Sequence, residues 1–113
     1  MSTRQGTNAE SDAIDYLEAR GLELITTNYR TRFGELDLLM WDGLILVCIE
    51  VKYRRQSRFG QAAEFVTAKK LQRMRTAFEQ YLLDNGHSPV STPVRIDVIA
   101  IDGDDYQWIK NLV

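Results

Sequence analysis

Residues 33–54 read FGELDLLMWDGLILVCIEVKYR. Leu, Ile, Val and Met dominate the run, and Asp42-Gly43 interrupts it. An Asp-Gly pair between two β-rich segments is a strong short-range hairpin signal, because a tight turn there needs positive φ. The spacing predicts strands over 35–41 and 44–53, with Asp42 and Gly43 as the two loop residues. Trp41 then faces Leu44, Asp37 faces Cys48, and Glu35 faces Glu50. Opposed residues share a face, and the side-chain period is two. Glu35, Asp37, Glu50 and Lys52 therefore project from one face, with Asp37 and Glu50 as diagonal neighbours. A slip of one residue would send these side chains to the other face, so the clustering rests on the turn.

Burying a charge without a partner is costly. Carboxylates set this close repel unless a cation lies between them. Hard divalent ions such as Mg²⁺ take oxygen ligands and keep water positions open. Lys52, two residues beyond Glu50 on the same face, could orient an attacking water or stabilise charge on a scissile phosphate. Two acids and a lysine thus suit metal-assisted phosphodiester hydrolysis. The alternative is a solvated face carrying cross-strand salt bridges. Leu39, Trp41, Leu44, Leu46 and Cys48 share that face, so the charges occupy only the end far from the turn, like polar groups at the rim of a core. An Asp followed by Glu-x-Lys is by itself a pattern that chance also produces.

Working outward, Thr7 or Asn8 can cap a helix over roughly 9–20, ended by Gly21. Its apolar stripe is Ala13, Ile14 and Leu17, and Glu10 shares that face. A strand is expected over 22–28 and a basic turn over 29–33. Residues 54–63 read as a polar loop. Thr67 caps a long helix over 68–84 whose stripe is Leu71, Met74, Ala77, Phe78, Tyr81 and Leu82, a core pattern. Asn85-Gly86 stops it. Strands follow over 94–101 and 106–112, with a turn at 102–105. The order is α-β-β-β-α-β-β. A long helix between two strands suggests a crossover joining parallel neighbours. The expected fold is a single α/β domain over 1–113, with a mixed central sheet flanked by helices.

A chain of 113 residues, 44% hydrophobic and 27% charged, suits one soluble domain with a real core. No apolar run approaches the length of a membrane helix, and MSTRQGTNAESD offers no apolar stretch for a signal peptide. The single cysteine, Cys48, forms no internal disulfide, fits a reducing cytoplasm and reads as core. Net charge is −2, but residues 52–75 carry +7 and the remainder −9. A basic patch on an acidic body is a plausible polyanion footprint, but charge alone favours a solvated helix face with a basic loop, because charge runs commonly mark exposed faces.

FGELD (33–37), IEVKYR (49–54), NAESDAIDYLEARG (8–21), VTAKKLQRMRTAFEQYL (66–82) and VRIDVIAI (94–101) together resemble the YraN-type family of uncharacterised bacterial proteins. That family looks like the Holliday-junction-resolvase branch of the PD-(D/E)xK nuclease superfamily. The resemblance spans nearly the whole chain. It implies a restriction-endonuclease/resolvase-like fold, a cytoplasmic protein and a Mg²⁺- or Mn²⁺-dependent endonuclease acting on nucleic acid, DNA in preference to RNA. By that likeness Asp37 and Glu50 are metal ligands, Lys52 is the motif lysine, and Glu10 is the helix glutamate that completes such sites. Ala9 stands where the family usually carries glycine. Glu35 is either a supporting ligand or a salt-bridge partner of Arg30 or Arg32. Lys70 is either a phosphate contact or a solvated helix lysine. Arg95 and Asp97 match the family's R-x-D-V strand, where a structural contact is favoured over metal ligation. Arg30, Arg32, Arg54, Arg55, Arg58, Lys69, Lys70 and Arg73 are the expected phosphate contacts. Cutting a four-way junction needs two symmetric sites, hence a homodimer.

A non-catalytic nucleic-acid-binding module on the same fold is the alternative, and a protein-recruitment role without metal affinity is a third reading. No Ser-His-Asp spacing, Walker-type loop or dinucleotide fingerprint competes. His87 reads as a surface-loop residue, and Asp102-Gly103-Asp104-Asp105 as a hairpin turn rather than a calcium loop.

Overall fold

The computed structural model of the protein describes residues 5–54 and 66–112, with side chains described from 9 to 53 and from 66 onward. The elements run α1 (Gln5–Glu18), β1 (Glu23–Thr31), β2 (Gly34–Asp42), β3 (Ile45–Arg54), α2 (Ala68–Asp84), β4 (Val94–Asp102) and β5 (Asp105–Ile109). They form the expected α-β-β-β-α-β-β order. The five strands make one sheet in the order β1-β2-β3-β4-β5. Only β3 and β4 pair in parallel, across the α2 crossover.

The sheet is buried on both faces. Ala13 and Leu17 of α1 pack against Leu38, Met40, Val47, Ile49, Ile99 and Ile101. Met74, Ala77, Phe78, Tyr81 and Leu82 of α2 pack against Leu39, Leu46, Cys48 and Ile96. Alternation along β2 and β3 sorts these two sets, so the helices lie on opposite faces. Cys48 is buried as read.

Helix ends follow the expected chemistry. Gly21, at φ 99°, takes the left-handed turn after α1, and the Leu22 amide donates back to the Leu17 carbonyl at 3.1 Å. Thr67 caps α2, its hydroxyl accepting from the Lys70 amide at 3.1 Å. The first helix starts at Gln5, before the expected cap. Polar residues such as Thr7 and Asn8 can continue a helix at a cost below about 1 kcal/mol each.

The last strand, expected over 106–112, is β5 over Asp105–Ile109, and two further strand expectations are corrected. The hairpin loop is Gly43-Leu44, because Asp42 pairs with Ile45. Gly43 has φ 62° and Leu44 is not in the left-handed region, so only the first loop residue needs glycine's freedom. Every β2–β3 pair is therefore displaced by two residues from the expected register. Leu44 leaves the shared face and is 85% exposed in the turn. A two-residue shift preserves the faces, so the predicted clustering of charges survives. Strand β1 also continues to Thr31, absorbing much of the expected basic turn. Tyr29 is drawn into the strand by pairing with Leu36, by edge-on contact with Tyr81 at 4.9 Å and by donating a hydrogen bond to Asp84 at 2.7 Å.

Candidate functional site

The last β2–β3 pair is Leu38↔Ile49. One step further, Asp37 comes opposite Glu50, where a diagonal relation was expected. The backbone ladder gives way here to a side chain: Asp37 Oδ2 accepts the Val51 amide at 3.0 Å. This fixes the Asp37 carboxylate against β3. Glu50 follows Cys48 on the α2-facing side of the sheet and is only 5% exposed. Its Oε2 lies 2.7 Å from Lys70 Nζ and 3.3 Å from Lys52 Nζ. Lys52 belongs to the same strand face, two residues on. Lys70 arrives from the first turn of α2, held there by the Thr67 cap.

The electrostatics follow from this packing. Burial, and next the charge of Glu50, push the Asp37 carboxyl up to about 7; Glu10 adds to the rise, while the Val51 amide and Lys70 oppose it. Burial alone would lower Lys70, but its hydrogen bond to Glu50 and the charges of Glu50 and Asp37 outweigh that and hold its ammonium above the usual range. Asp37 and Glu50 open into a recess of about 260 Å³ between β2, β3 and α2, also lined by Phe33, Glu35, Lys70 and Arg73.

Asp37, Glu50 and Lys52 thus stand together as expected. Glu10 of α1 is half-buried and its Oε1 accepts from Asn28 Nδ2 at 3.1 Å, while its charge reaches Asp37. Among the described residues, no three His, Cys, Asp or Glu side chains form a metal-ligand group. Glu35 lies 3.7 Å from exposed Arg30, one of the two salt-bridge partners considered for it, and also lines the recess. Arg32 sits over the Phe33 ring at 5.1 Å. Lys69 and Arg73 are exposed on α2. Arg54 ends β3, and Arg55 and Arg58 lie outside the described residues.

Asp97 serves the frame. It is fully buried and accepts from Arg95 Nε and NH2, Trp108 Nε1 and the Asn111 amide, all within 3.2 Å. Arg95 NH1 continues to Asp42 at 2.9 Å. The structural contact favoured for Arg95 and Asp97 is therefore present. His87 is half-buried, its ring 5.9 Å from Trp41 and 6.4 Å from Tyr81, so the surface-loop expectation is too simple. Asn28 was not anticipated in any role; its φ of 52° inside β1 accompanies the reach to Glu10. An Asn among β-formers was the only available signal.

The two site carboxylates have the donor chemistry for a hard divalent ion. Among the described contacts, Asp37 Oδ1 and Glu50 Oε1 have no partner, while each carboxylate's other oxygen is engaged. Mg²⁺ commonly binds through one or two carboxylates and retains several waters.

No helix among the described residues is long and apolar enough to cross a membrane. A family model described as "Uncharacterised protein family UPF0102" matches residues 9–101. The chain is 43% identical over 111 residues to a UPF0102 protein of Klebsiella pneumoniae, covering 98% of this chain and 87% of the relative. It is 45% identical over 114 residues to one of Vibrio cholerae, covering 99% and 93%. A Shewanella loihica member is 43% identical over 107 residues, covering 95% and 91%. The family match takes in α1 from Ala9 onward, the hairpin that carries Asp37, Glu50 and Lys52, and α2 with Lys70, and on this basis the chain belongs to the UPF0102, or YraN, family.

Proposed function

We propose that this protein is a metal-dependent endonuclease that hydrolyses phosphodiester bonds in structured or single-stranded nucleic acid, with DNA preferred. The observation that carries the reading is the approach of Asp37 and Glu50 from adjacent strands, with Lys52 and Lys70 on Glu50, in a recess bordered by Arg73. Asp37 and Glu50 would hold Mg²⁺ or Mn²⁺, with Glu10 supporting through its charge. When bound, the ion would supply a water of lowered pKa and offset charge on the scissile phosphate. The Val51 amide keeps Asp37 oriented toward the recess. Lys52 orients the attacking water. Lys69 and Arg73, with Arg30 and Arg32 at the β1–β2 end, bind flanking phosphates. Junction cutting by this chain would require a dimer that presents two such sites.

The test is cleavage of labelled single-stranded, flap, four-way-junction and duplex DNA, and of RNA, with Mg²⁺ or Mn²⁺. Wild type should cut at least one substrate, and Asp37→Asn and Lys52→Ala should lower the rate by roughly a hundredfold or more. Binding should weaken steeply with salt as counterions are released. Affinity that is unchanged between low and moderate salt would refute the basic track.

A non-catalytic nucleic-acid-binding module is the second reading. It is favoured by the neutralisation of Glu50 by two lysines and by the lack of a three-acid cluster among the described residues. Tight binding of the panel by a folded wild type that cuts none of it would decide for that module.

A further inference from the structure

Glu50, nearly buried as a residue, places one oxygen, Oε2, against two ammonium groups from different elements. The closer is Lys70, at 2.7 Å from the far side of the recess. Lys52 is its strand neighbour, at 3.3 Å. Lys70 is also the more accessible of the two, its side chain 36% exposed against 21%. Both Lys70 and the exposed Arg73 line the recess.

Counting formal charges, two lysines balance Asp37 and Glu50. A divalent cation entering this set leaves an excess of positive charge, only part of it offset by the Glu10 carboxylate that acts on Asp37, in a partly dry site, where such excess is expensive. The cation least tied to the strand can relieve it by leaving Glu50. A lysine on a four-carbon stem can do so without moving its helix.

We propose that Lys70 is the resident counter-ion of Glu50, that a divalent cation displaces it, and that the released ammonium then binds the substrate phosphate. The inference rests on the endonuclease reading and makes Lys70 an exchangeable part of that site. It assigns Lys52 and Lys70 different work: Lys52 stays with the strand, and Lys70 moves between carboxylate and phosphate.

The first measurement is isothermal titration of the full chain with Mn²⁺ alone, at fixed salt and without nucleic acid. Linkage requires that removing a competing cation tighten the metal. Lys70→Met should bind Mn²⁺ roughly five- to tenfold more tightly than wild type. Lys52→Met should gain less. Arg75→Met removes a cation from the same helix without touching Glu50 and should leave the affinity unchanged. Lys70→Arg should stay near wild type. Lys70→Gln serves as a second neutral variant if Lys70→Met does not fold by circular dichroism. With Ca²⁺ present, Lys70→Met should bind a fluorescent single-stranded oligonucleotide several-fold more weakly.

Mn²⁺ affinity that is equal or weaker in the neutral Lys70 variants, with wild type binding the ion, would overturn the displacement and leave the nuclease reading standing. An equal gain in Arg75→Met would also overturn it, since general charge would then explain the effect. No Mn²⁺ binding by either protein would overturn both. The expected tightening in a wild type that cuts no nucleic acid would uphold the displacement and refute the nuclease.

Discussion

Asp37 carries a carboxyl pushed up to about 7, by burial first and by the charge of Glu50 second. Its ordinary value is 3.8, so folding favours the protonated form. The stability this group contributes is complete below the unfolded value and is lost as pH rises through the folded one. In EDTA, the melting temperature of wild type relative to Asp37→Asn should therefore fall as pH rises from about 4 toward 8. Thermal melts of both proteins across that range check the sign, and parallel profiles would mean that Asp37 is well solvated. The residue types and their shared face were legible in the sequence. The second lysine on Glu50 was not, because Lys70 lies twenty positions away and only the packing of α2 brings it there.

At the scale of elements, α2 was the most legible, since its cap, apolar stripe and Asn85-Gly86 stop are all local signals. Thr67 also holds the backbone of Lys70. Thr67→Ala should cost about 1 kcal/mol in urea denaturation, and no loss would mean that tertiary packing alone sets the helix start. The β2–β3 turn was legible as a turn but not in register. Gly43 takes the positive φ, and Asp42 belongs to the strand. Gly43→Ala should destabilise by about 1–2 kcal/mol, because a Cβ in the left-handed region is strained; an unchanged urea midpoint would contradict the turn geometry. The extent of β1 was least legible. Its final residues look like a basic turn until Tyr29 finds Tyr81 and Asp84 on α2.

Across the whole molecule, Arg95 and Asp97 join parts that are distant in sequence. Asp97 receives the Trp108 indole and the Asn111 amide from the C-terminal side, and Arg95 reaches Asp42 at the end of β2. Arg95→Met would leave Asp97 buried without its main counter-charge. Removing one partner of a buried pair costs about 3–5 kcal/mol, a large share of the roughly 5–15 kcal/mol total for a small domain. Chemical denaturation should show this loss over the whole cooperative transition. A loss below about 1 kcal/mol would show that water reaches Asp97. The site depends on this frame because Glu50 and Lys52 lie on β3, which pairs along its length with β4.

The sequence by itself determined the elements and which side chains share a face. Those properties follow from periods of two and 3.6 residues, and parity survived even a two-residue error in the hairpin. It also identified Asp37, Glu50 and Lys52 as neighbours, because all three belong to one hairpin. Tertiary structure alone decided that Lys70 caps Glu50, that Asn28 holds Glu10 and that Arg95 reaches Asp42. These contacts join separate elements whose relative placement depends on how α1, α2 and the sheet pack, and no local pattern encodes that distance.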